Sequence, residues 1–431
     1  MVLGSRRLFL KRLVAAGVLS ASACQRWLDK TLTAHVVVVG GGFGGATSAK
    51  TLRLLDSTIK VTLIVSSDRY ITCPGSNWVV AGLTQLDRLT VDYRRLQANY
   101  GIDVLVDRVD RIERERRRLR LASGRQVAYD RLILSPGIAF RWDEIAGHDA
   151  STAEIFPHAW QAGPQTALLS RQLQAMPDGG VVLITVPADP YRCPPGPYER
   201  ASMMAWWLKQ HKPRAKIIIL DAKRSFSKQA LFEAGWARHY GYGTANSLIE
   251  WHSLADNPIV ELDSRGNTLR SEFGDRFQGE VLNIIPAQAA ADIARQSGLT
   301  DSGGWCPINP LASQSRYDEF IHVIGDAAQY APIPKSAFAA NSEAKACAIA
   351  VVNLLHQIPL TEPNWMNTCY SLITPEHGIS IVGVYKLDAE QAVAAVKGAG
   401  GVSSPLSADF AEREASYAIS VYRSLVVDTF G

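Results

Sequence analysis

The sequence predicts an α/β fold with two dinucleotide-binding, Rossmann-like domains, and three observations lead to it. β-branched runs typical of buried parallel strands alternate with helical stretches along the chain. A glycine-rich turn follows the first of these runs directly. A further strand run opens the middle of the chain at residues 179–186. The chain has 431 residues, 47% hydrophobic and 20% charged, which is enough for two or three folded domains.

The first element is the run at residues 35–39, which leads into the glycine turn, a helical stretch at 46–55 and a second run at 60–65. The glycines permit a tight turn and a close approach of the backbone to a pyrophosphate, whose charge the helix N-terminus stabilises. The order strand, glycine turn, helix, strand therefore predicts a dinucleotide site. Its candidate cofactor-binding residues are Gly40, Gly42, Phe43 and Gly45.

The end of the second strand departs from the usual dinucleotide pattern. An acid that holds a ribose hydroxyl is expected near Val65. The chain has Val65-Ser66-Ser67-Asp68 there instead. Either Ser66 or Asp68 is expected to substitute for the acid.

Two further segments indicate that the dinucleotide is FAD. Residues 320–327 read as a strand that ends in Gly325-Asp326, and in flavoproteins with two dinucleotide folds this Asp hydrogen-bonds the ribityl chain of FAD. Residues 132–137 resemble the crossover that leaves the FAD domain in such chains, and they end at Gly137. Three matches in the expected order favour FAD over free NAD.

The middle domain keeps the strand pattern but lacks a second glycine motif. Its first strand, at 179–186, runs into a segment with four prolines before Gly196. Proline has no N–H to bind phosphate, so this domain is not expected to bind NADH. The loop either presents the sulfur of Cys193 at a fixed place or is a plain rigid loop with a buried cysteine. The run at 216–221 extends the strand–helix alternation, and this domain ends at about residue 285.

Composition excludes several classes of protein. No apolar run reaches 18 residues, so no membrane span is predicted. No basic stripe indicates binding to nucleic acid. The six cysteines show no zinc-finger spacing, so no metal site is predicted.

The N-terminus resembles a twin-arginine export signal. Arg6-Arg7 lies in the sequence S-R-R-L-F-L-K, and an apolar stretch at 13–19 follows. Such a signal places the mature protein in the periplasm, where disulfides persist. The formal net charge is +4, and it falls to about zero without the four cations of this segment, which are Arg6, Arg7, Lys11 and Arg12. Lipid attachment at Cys24 is an alternative, although Ala21 stands where a lipoprotein signal usually has Leu.

Several longer segments of the chain are distinctive. They are Tyr70-Ile71-Thr72-Cys73, R-C-P-P-G-P-Y-E-R at 192–200, Gly304-Trp305-Cys306-Pro307, Pro334-Lys335-Ser336, Asn341-Ser342, Asn367-Thr368-Cys369-Tyr370 and Asp428-Thr429-Phe430-Gly431. Together these segments resemble one family, the flavoprotein subunit of flavocytochrome c sulfide dehydrogenase. The resemblance covers nearly the whole chain after the signal. One departure is Val421-Tyr422, where the family often has Trp-Tyr.

The resemblance implies a fold of the glutathione-reductase type, with two dinucleotide-binding domains and a C-terminal α+β interface domain. The implied divisions are the signal segment 1–33, the FAD-binding domain at 34–146 and 287–358, the NAD-binding-like domain without its nucleotide motif at 147–286, and the interface domain at 359–431.

The resemblance also implies roles for three cysteines. Cys73 matches the cysteine that binds the flavin 8-methyl group covalently. Cys193 and Cys369 match a redox-active disulfide beside the isoalloxazine ring. A small buried hydrophobe is the alternative interpretation of Cys369.

Four other residues receive expectations from the same comparison of motifs. Glu199 either exchanges protons near the disulfide or is a salt-bridging surface acid. The helix that begins near Lys335 is expected to aim its N-terminus at the flavin pyrimidine, which makes Lys335 a candidate cofactor-binding residue. Cys306 is expected to be structural. Cys347, in the alanine-rich helical stretch 336–355, is expected to be part of the core.

The function that the resemblance implies is oxidation of sulfide, with electrons passed to a cytochrome c subunit that carries one or two haems. The chain has no C-x-x-C-H motif, so any haem belongs to the partner. One alternative is a sulfide:quinone oxidoreductase, which would need an apolar face on the tail at 408–431. Another is a non-catalytic flavoprotein in a sulfur-oxidation complex. The proline-rich loop disfavours an NADH-linked disulfide reductase.

Overall fold

The structure is a computed structural model that describes residues 34–404 and 408–431. The predicted export segment at 1–33, with its arginines and Cys24, lies outside the described residues.

The first part of the chain builds most of one sheet and the helix that follows its first strand. Its elements are β1 (His35–Val39), α1 (Phe43–Leu55), β2 (Lys60–Val65), β3 (Arg69–Ile71), α2 (Ser76–Val80), β4 (Thr90–Asp92), α3 (Arg94–Tyr100), β5 (Asp103–Val106), β6 (Val109–Glu113), β7 (Arg118–Leu121), β8 (Gln126–Ala128), β9 (Arg131–Leu134) and β10 (Ile138–Arg141).

The middle and C-terminal parts contribute the remaining elements. Those of the middle part are α4 (Pro164–Ala175), β11 (Val181–Val186), α5 (Gly196–His211), β12 (Lys216–Asp221), α6 (Gln229–Tyr240), β13 (Ile249–Ser253), β14 (Ile259–Asp263), β15 (Thr268–Ser271), β16 (Arg276–Gln278) and β17 (Val281–Ile284). Those that follow are β18 (Ala287–Ala290), α7 (Asp292–Gln296), β19 (Ile308–Asn309), β20 (Gln314–Ser315), β21 (Asp318–Val323), α8 (Ala337–His356), β22 (Asn364–Thr374), β23 (His377–Leu387), β24 (Val393–Ala395), β25 (Gly401–Val402) and α9 (Ala408–Phe430).

The first sheet has seven strands in the order β19-β20-β21-β9-β1-β2-β5, and its five strands from β21 to β5 are parallel. Every position of β1 after the first is buried, which explains its β-branched composition. Val39 and Val323 both pair with Leu134. The three motifs that follow these strands in sequence therefore meet at one edge of the sheet.

The second sheet is parallel, with the order β13-β12-β11-β17. The antiparallel pair β10 and β18 lies where the chain leaves and re-enters the first part. Two small antiparallel sheets, β6-β7-β8 and β14-β15-β16, complete the two units. The predicted α/β fold with two dinucleotide-type domains is confirmed.

The C-terminal part is an antiparallel sheet, β22-β23-β24 with β25 beside β23, covered by helix α9. Within the described stretches of the chain, no helix has both the length and the apolar character needed to cross a membrane.

The end of α9 packs back on α1 and α8. The Phe430 ring lies edge-on to Phe43, with 5.6 Å between ring centroids. Asn341 Nδ2 donates a hydrogen bond to Asp428 Oδ2 at 2.8 Å, and Lys50 Nζ donates to the Asp428 carbonyl at 2.8 Å. Residues 428–431 are thereby fixed to the helix that follows the glycine turn.

Candidate active site

A cavity of about 1000 Å³ opens at the edge where the strand motifs meet. It brings together most of the residues singled out from sequence. Those on its lining are Gly40, Gly42, Phe43, Cys73, Gly137, Cys193, Glu199, Gly325, Asp326 and Cys369. Gly45 and Lys335 do not belong to the lining.

One end of the cavity is the glycine turn and the first turn of α1. Gly40 has a φ of +104°, and a Cβ there would lie 2.1 Å from the Ser135 carbonyl oxygen. A Cβ on Gly45 would lie 1.8 Å from the Gly40 carbonyl oxygen, so Gly45 allows the helix to pack against the turn. No side chain caps α1 and its first turn has no acid, so its free N–H groups face the cavity without competition. This end fits a diphosphate.

The cavity lining also includes the two serines that follow β2. Ser66 and Ser67 lie on the cavity lining and Asp68 does not. Of the two substitutes considered for the ribose-binding acid, Ser66 is therefore the one in position.

The Gly325-Asp326 turn is held from behind by Lys335. The Lys335 ammonium donates to the carbonyl oxygens of Asp326 at 2.7 Å and Ala328 at 2.8 Å. Burial lowers the pKa of Lys335. Its side chain thus positions the turn, while the neighbouring Ser336, the N-cap of α8, lines the cavity.

Two residues at this turn had no role assigned from sequence. Glu343 Oε2 accepts a hydrogen bond from the Gly325 N–H at 2.7 Å, and burial raises the pKa of Glu343 to about 7. Arg192 Nη1 lies 3.7 Å from the carboxylate of Asp326. No sequence pattern around Glu343 in the alanine-rich helix could have predicted its role. Arg192 directly precedes Cys193, so its position next to a candidate site residue was a usable signal.

Cys193 and Cys369 come together in the cavity although different domains carry them. Cys193 lies in the loop between β11 and α5 with a φ of +59°, and its N–H donates to the Lys335 carbonyl at 2.8 Å. Cys369 lies in β22. Both are free thiols here, and a hydrogen bond joins them. The contact is compatible with the expected redox pair, and the disulfide bond itself stays a prediction.

The two thiols differ in acidity. The hydrogen bond from Cys193 lowers the pKa of Cys369 to about 7, against desolvation and with help from the positive charge of Lys228. The same hydrogen bond, together with desolvation, raises the pKa of Cys193 well above its ordinary value. Of the two thiols, Cys369 therefore loses its proton more readily and forms the thiolate.

Glu199 lies in the cavity wall, in the first turn of α5. Its Oε1 accepts from the Leu372 N–H and its Oε2 accepts from Asn77 Nδ2, both at 3.1 Å. Within the described chain no Lys or Arg forms an ion pair with it. Desolvation raises the pKa of Glu199, so this carboxylate takes up a proton more readily than an exposed glutamate does.

Arg200, next in the same helix, is almost completely buried and had no predicted role. Its Nε donates to Asn77 Oδ1 at 3.0 Å, and its Nη1 donates to Asn283 Oδ1 at 2.9 Å. Nη1 and Nη2 also donate to the carbonyls of His158 and Ala159, at 3.0 and 2.6 Å. Arg200 thus joins α2, the segment before α4 and strand β17 around the cavity wall.

Cys73 lies between β3 and α2 and lines the cavity, with its sulfur 3.9 Å from the Trp160 carbonyl oxygen. Tyr422 of α9 also lines the cavity and bonds Thr72 Oγ1 at 2.8 Å. Cys306 and Cys347, by contrast, are fully buried and lie off the lining. Cys73 is therefore in a position to reach a bound cofactor.

In the middle domain, the acid at the end of β12 is engaged by protein side chains. Asp221 ends β12, where an acid would hold a ribose, yet it is completely buried. It accepts hydrogen bonds from the Tyr198 hydroxyl at 2.5 Å and from Trp251 Nε1 at 2.9 Å. The Tyr198 ring stacks on Phe226 with centroids 3.8 Å apart. Asp221 is thus unavailable to a ribose.

Comparison with known proteins gives matches along most of the chain. Residues 166–286 match the family described as the central domain of the sulfide dehydrogenase [flavocytochrome c] flavoprotein chain. Residues 361–430 match the flavin-binding domain of flavocytochrome c sulphide dehydrogenase. Residues 34–158 match the pyridine nucleotide-disulphide oxidoreductase family.

Two curated relatives and one solved structure are similar to the chain. The flavoprotein chain of sulfide dehydrogenase [flavocytochrome c] from Chlorobaculum thiosulfatiphilum is 60% identical over 47 residues, which are 98% of that sequence and 11% of this chain. The mitochondrial sulfide:quinone oxidoreductase of Mus musculus is 25% identical over 300 residues, which cover 68% of this chain and 65% of the relative. The chain thus spans just under two thirds of that relative. The sulfide:quinone oxidoreductase structure from Aquifex aeolicus has the same fold, with a TM-score of 0.70 at 16% identity over 92% of this chain and 91% of that one.

Proposed function

Because the chain belongs to the family of the flavoprotein chain of flavocytochrome c sulfide dehydrogenase, we propose that it oxidises sulfide and passes the electrons through FAD to a cytochrome c subunit. The main observation behind the proposal is that Cys193 and Cys369 contact each other in the same cavity as the glycine turn, which fits a diphosphate. The export pattern at Arg6 and Arg7 supports a periplasmic location for this reaction.

The residues that would hold FAD are spread along the cavity. The N–H groups of the Gly42–Gly44 turn would bind the diphosphate, Asp326 would bind the ribityl chain and Cys73 would bind the ring covalently. When bound, FAD would accept two electrons from the cysteine pair and release them singly.

The cysteines would carry the sulfur chemistry. Hydrosulfide attacks one sulfur of the oxidised pair, the disulfide breaks, and a persulfide forms on the attacked cysteine while the other leaves as a thiolate. The negative charge of Glu199 acts to raise the pKa of both cysteine thiols. Its carboxyl group would exchange the proton that hydrosulfide brings.

We expect anaerobic sulfide to bleach the visible flavin absorption of the purified protein, and oxidised cytochrome c to restore it. NADH should leave the spectrum unchanged because Asp221 is buried beneath Tyr198. A spectrum that does not respond to sulfide would rule out the proposed activity and favour a non-catalytic flavoprotein.

Similarity to the sulfide:quinone oxidoreductases supports quinone as a second candidate acceptor. The orientation of α9 argues against quinone as the acceptor. Its apolar residues Ala415, Ala418 and Leu425 are buried, and Glu412 and Arg423 are exposed on its outer face. Restoration of the spectrum by a soluble quinone analogue but not by cytochrome c would favour the quinone reaction.

We also expect a peptide that contains Cys73 to carry the mass of FAD after denaturation and digestion. Cys73→Ser should release FAD on acid denaturation, because no thioether can form. The matched control is Cys347→Ala, in which a buried thiol away from the cavity is removed. FAD that stays bound to denatured Cys73→Ser protein would contradict the assignment.

A further inference from the structure

Lys228, which has no role in the reaction described so far, lies immediately before α6 with its side chain buried. Its ammonium donates to the Cys369 carbonyl at 3.1 Å, to Ser371 Oγ at 2.9 Å and to the Ile379 carbonyl at 3.5 Å. All three acceptors belong to β22 and β23. The ammonium is therefore fixed against the strand that carries Cys369.

No carboxylate neutralises this ammonium directly. Among residues 34–404 and 408–431, no Asp or Glu forms an ion pair with Lys228. A buried charge without a counter-charge is costly. The groups that interact with it electrostatically are, from strongest to weakest, Cys369, Glu199, Cys193 and Glu414.

The backbone of Lys228 is also unusual. Its φ is +62°, a left-handed conformation that non-glycine residues seldom adopt. Such conformations persist only where the surrounding structure imposes them, and they cluster at functional sites. Cys193 and Ala159, which line the cavity, share this conformation.

The neighbours of the two sulfurs differ accordingly. Lys228 acts more strongly on Cys369 than on Cys193. The other cations that act on Cys193 are Arg192 and Arg200. The hydrogen-bond donors of Arg200 are taken up by Asn77, Asn283 and the carbonyls of His158 and Ala159. Arg192 is in addition engaged by the carboxylate of Asp326. The fixed positive charge thus favours the anion on Cys369.

We propose that Lys228 is a positioning residue that makes Cys369 the leaving sulfur, so that hydrosulfide attacks Cys193 and the persulfide forms there. This inference rests on the proposed function. In the step, the bond between the two cysteine sulfurs breaks and a bond forms between the sulfide sulfur and Cys193 Sγ. The electron pair of the broken bond goes to Cys369 Sγ, which becomes a thiolate beside the Lys228 ammonium. The sulfide sulfur is oxidised, the cysteine pair is reduced, and the hydrosulfide proton stays on the persulfide or passes to Glu199.

The test begins with the wild-type holoprotein, its cysteine pair reduced anaerobically with a phosphine. Iodoacetamide is added across a pH series, and the alkylated cysteine is identified by peptide mass spectrometry. We expect Cys369 to react first, with a midpoint near pH 7. The groups that face it and titrate or carry charge are Cys193, Glu199 and Lys228, with Glu414 behind Lys228.

Lys228→Gln should raise this midpoint by about one pH unit, which reduces alkylation at pH 7 about fivefold. Lys228→Arg keeps the charge and should keep the wild-type midpoint. The matched control is Lys209→Gln, which removes an exposed lysine that also donates to a backbone carbonyl, that of His239 at 2.8 Å. Equal midpoints in Lys228→Gln and the wild type would overturn the proposal.

Two measurements on the wild type decide the matter even if Lys228→Gln does not fold. Cys193 reacting first with iodoacetamide would overturn the assignment. So would an added sulfur found on the Cys369 peptide, rather than on the Cys193 peptide, after one equivalent of sulfide is given to the oxidised protein. Alkylation uses no sulfide, so its outcome stays separate from the bleaching experiment that tests the proposed function.

Discussion

Cys193→Ser is expected to abolish reduction of the flavin by sulfide, with a loss of about 10³-fold or more in rate. The serine hydroxyl cannot form a disulfide with Cys369, so the bond that hydrosulfide attacks is missing. FAD should stay bound, because the glycine turn, Asp326 and Cys73 lie elsewhere on the cavity lining. The rate is measured by anaerobic stopped-flow absorbance, and bound FAD by the spectrum of the washed protein.

Cys347→Ala serves as the control for this prediction. That thiol is fully buried in α8, where alanine is common, and it is not on the cavity lining. Its removal should leave the sulfide reaction close to wild type. If Cys193→Ser protein reacted with sulfide as fast as this control, the cysteine pair could not be the site of attack.

Arg200→Met is expected to lower the free energy of unfolding by about 3–5 kcal/mol. Methionine fills similar space but donates no hydrogen bond. The change leaves Asn77 Oδ1, Asn283 Oδ1 and the Ala159 carbonyl without the donors that now reach them. The His158 carbonyl loses one of its two donors and keeps Asn283 Nδ2. Urea unfolding followed by circular dichroism measures the loss.

Arg94→Met is the matched variant for the stability measurement. The Arg94 side chain is 86% exposed and pairs with Asp92 alone, so its loss should change the free energy of unfolding little. An equal loss in both variants would mean that the buried network contributes no more than a surface pair.

The strands were the most predictable part of the fold. The runs at 35–39, 60–65 and 216–221 became strands with those bounds, because strands buried on both faces need continuous apolar, β-branched sequence. The run predicted at 179–186 became a strand only from Val181, after its two glycines. Helix α1 was less predictable. It begins at Phe43, three residues before the predicted start, because glycines in its first turn conceal helical sequence.

The candidate site was predictable only where a motif carried it. The glycine turn and Gly325-Asp326 could be located because a backbone requirement limits the residue types there. Arg200 and Lys228 are single polar residues without a pattern, and their roles depend on partners far along the chain, such as Asn77 for Arg200 and Ser371 for Lys228. The Cys193–Cys369 pair came from family resemblance, since spacing alone pairs no cysteines.

The packing of residues 428–431 on α1 has a consequence for how the protein acquires its cofactor. Contacts between segments more than 370 residues apart, such as Lys50 with Asp428, fix the end of the helix whose Tyr422 and Leu425 line the cavity. Contacts of such long sequence separation form late in folding, because much loop entropy must be lost first. Tight FAD retention should thus appear as one of the last events of refolding, after the sheets have formed, and it would serve as a marker that the whole chain has reached its native topology.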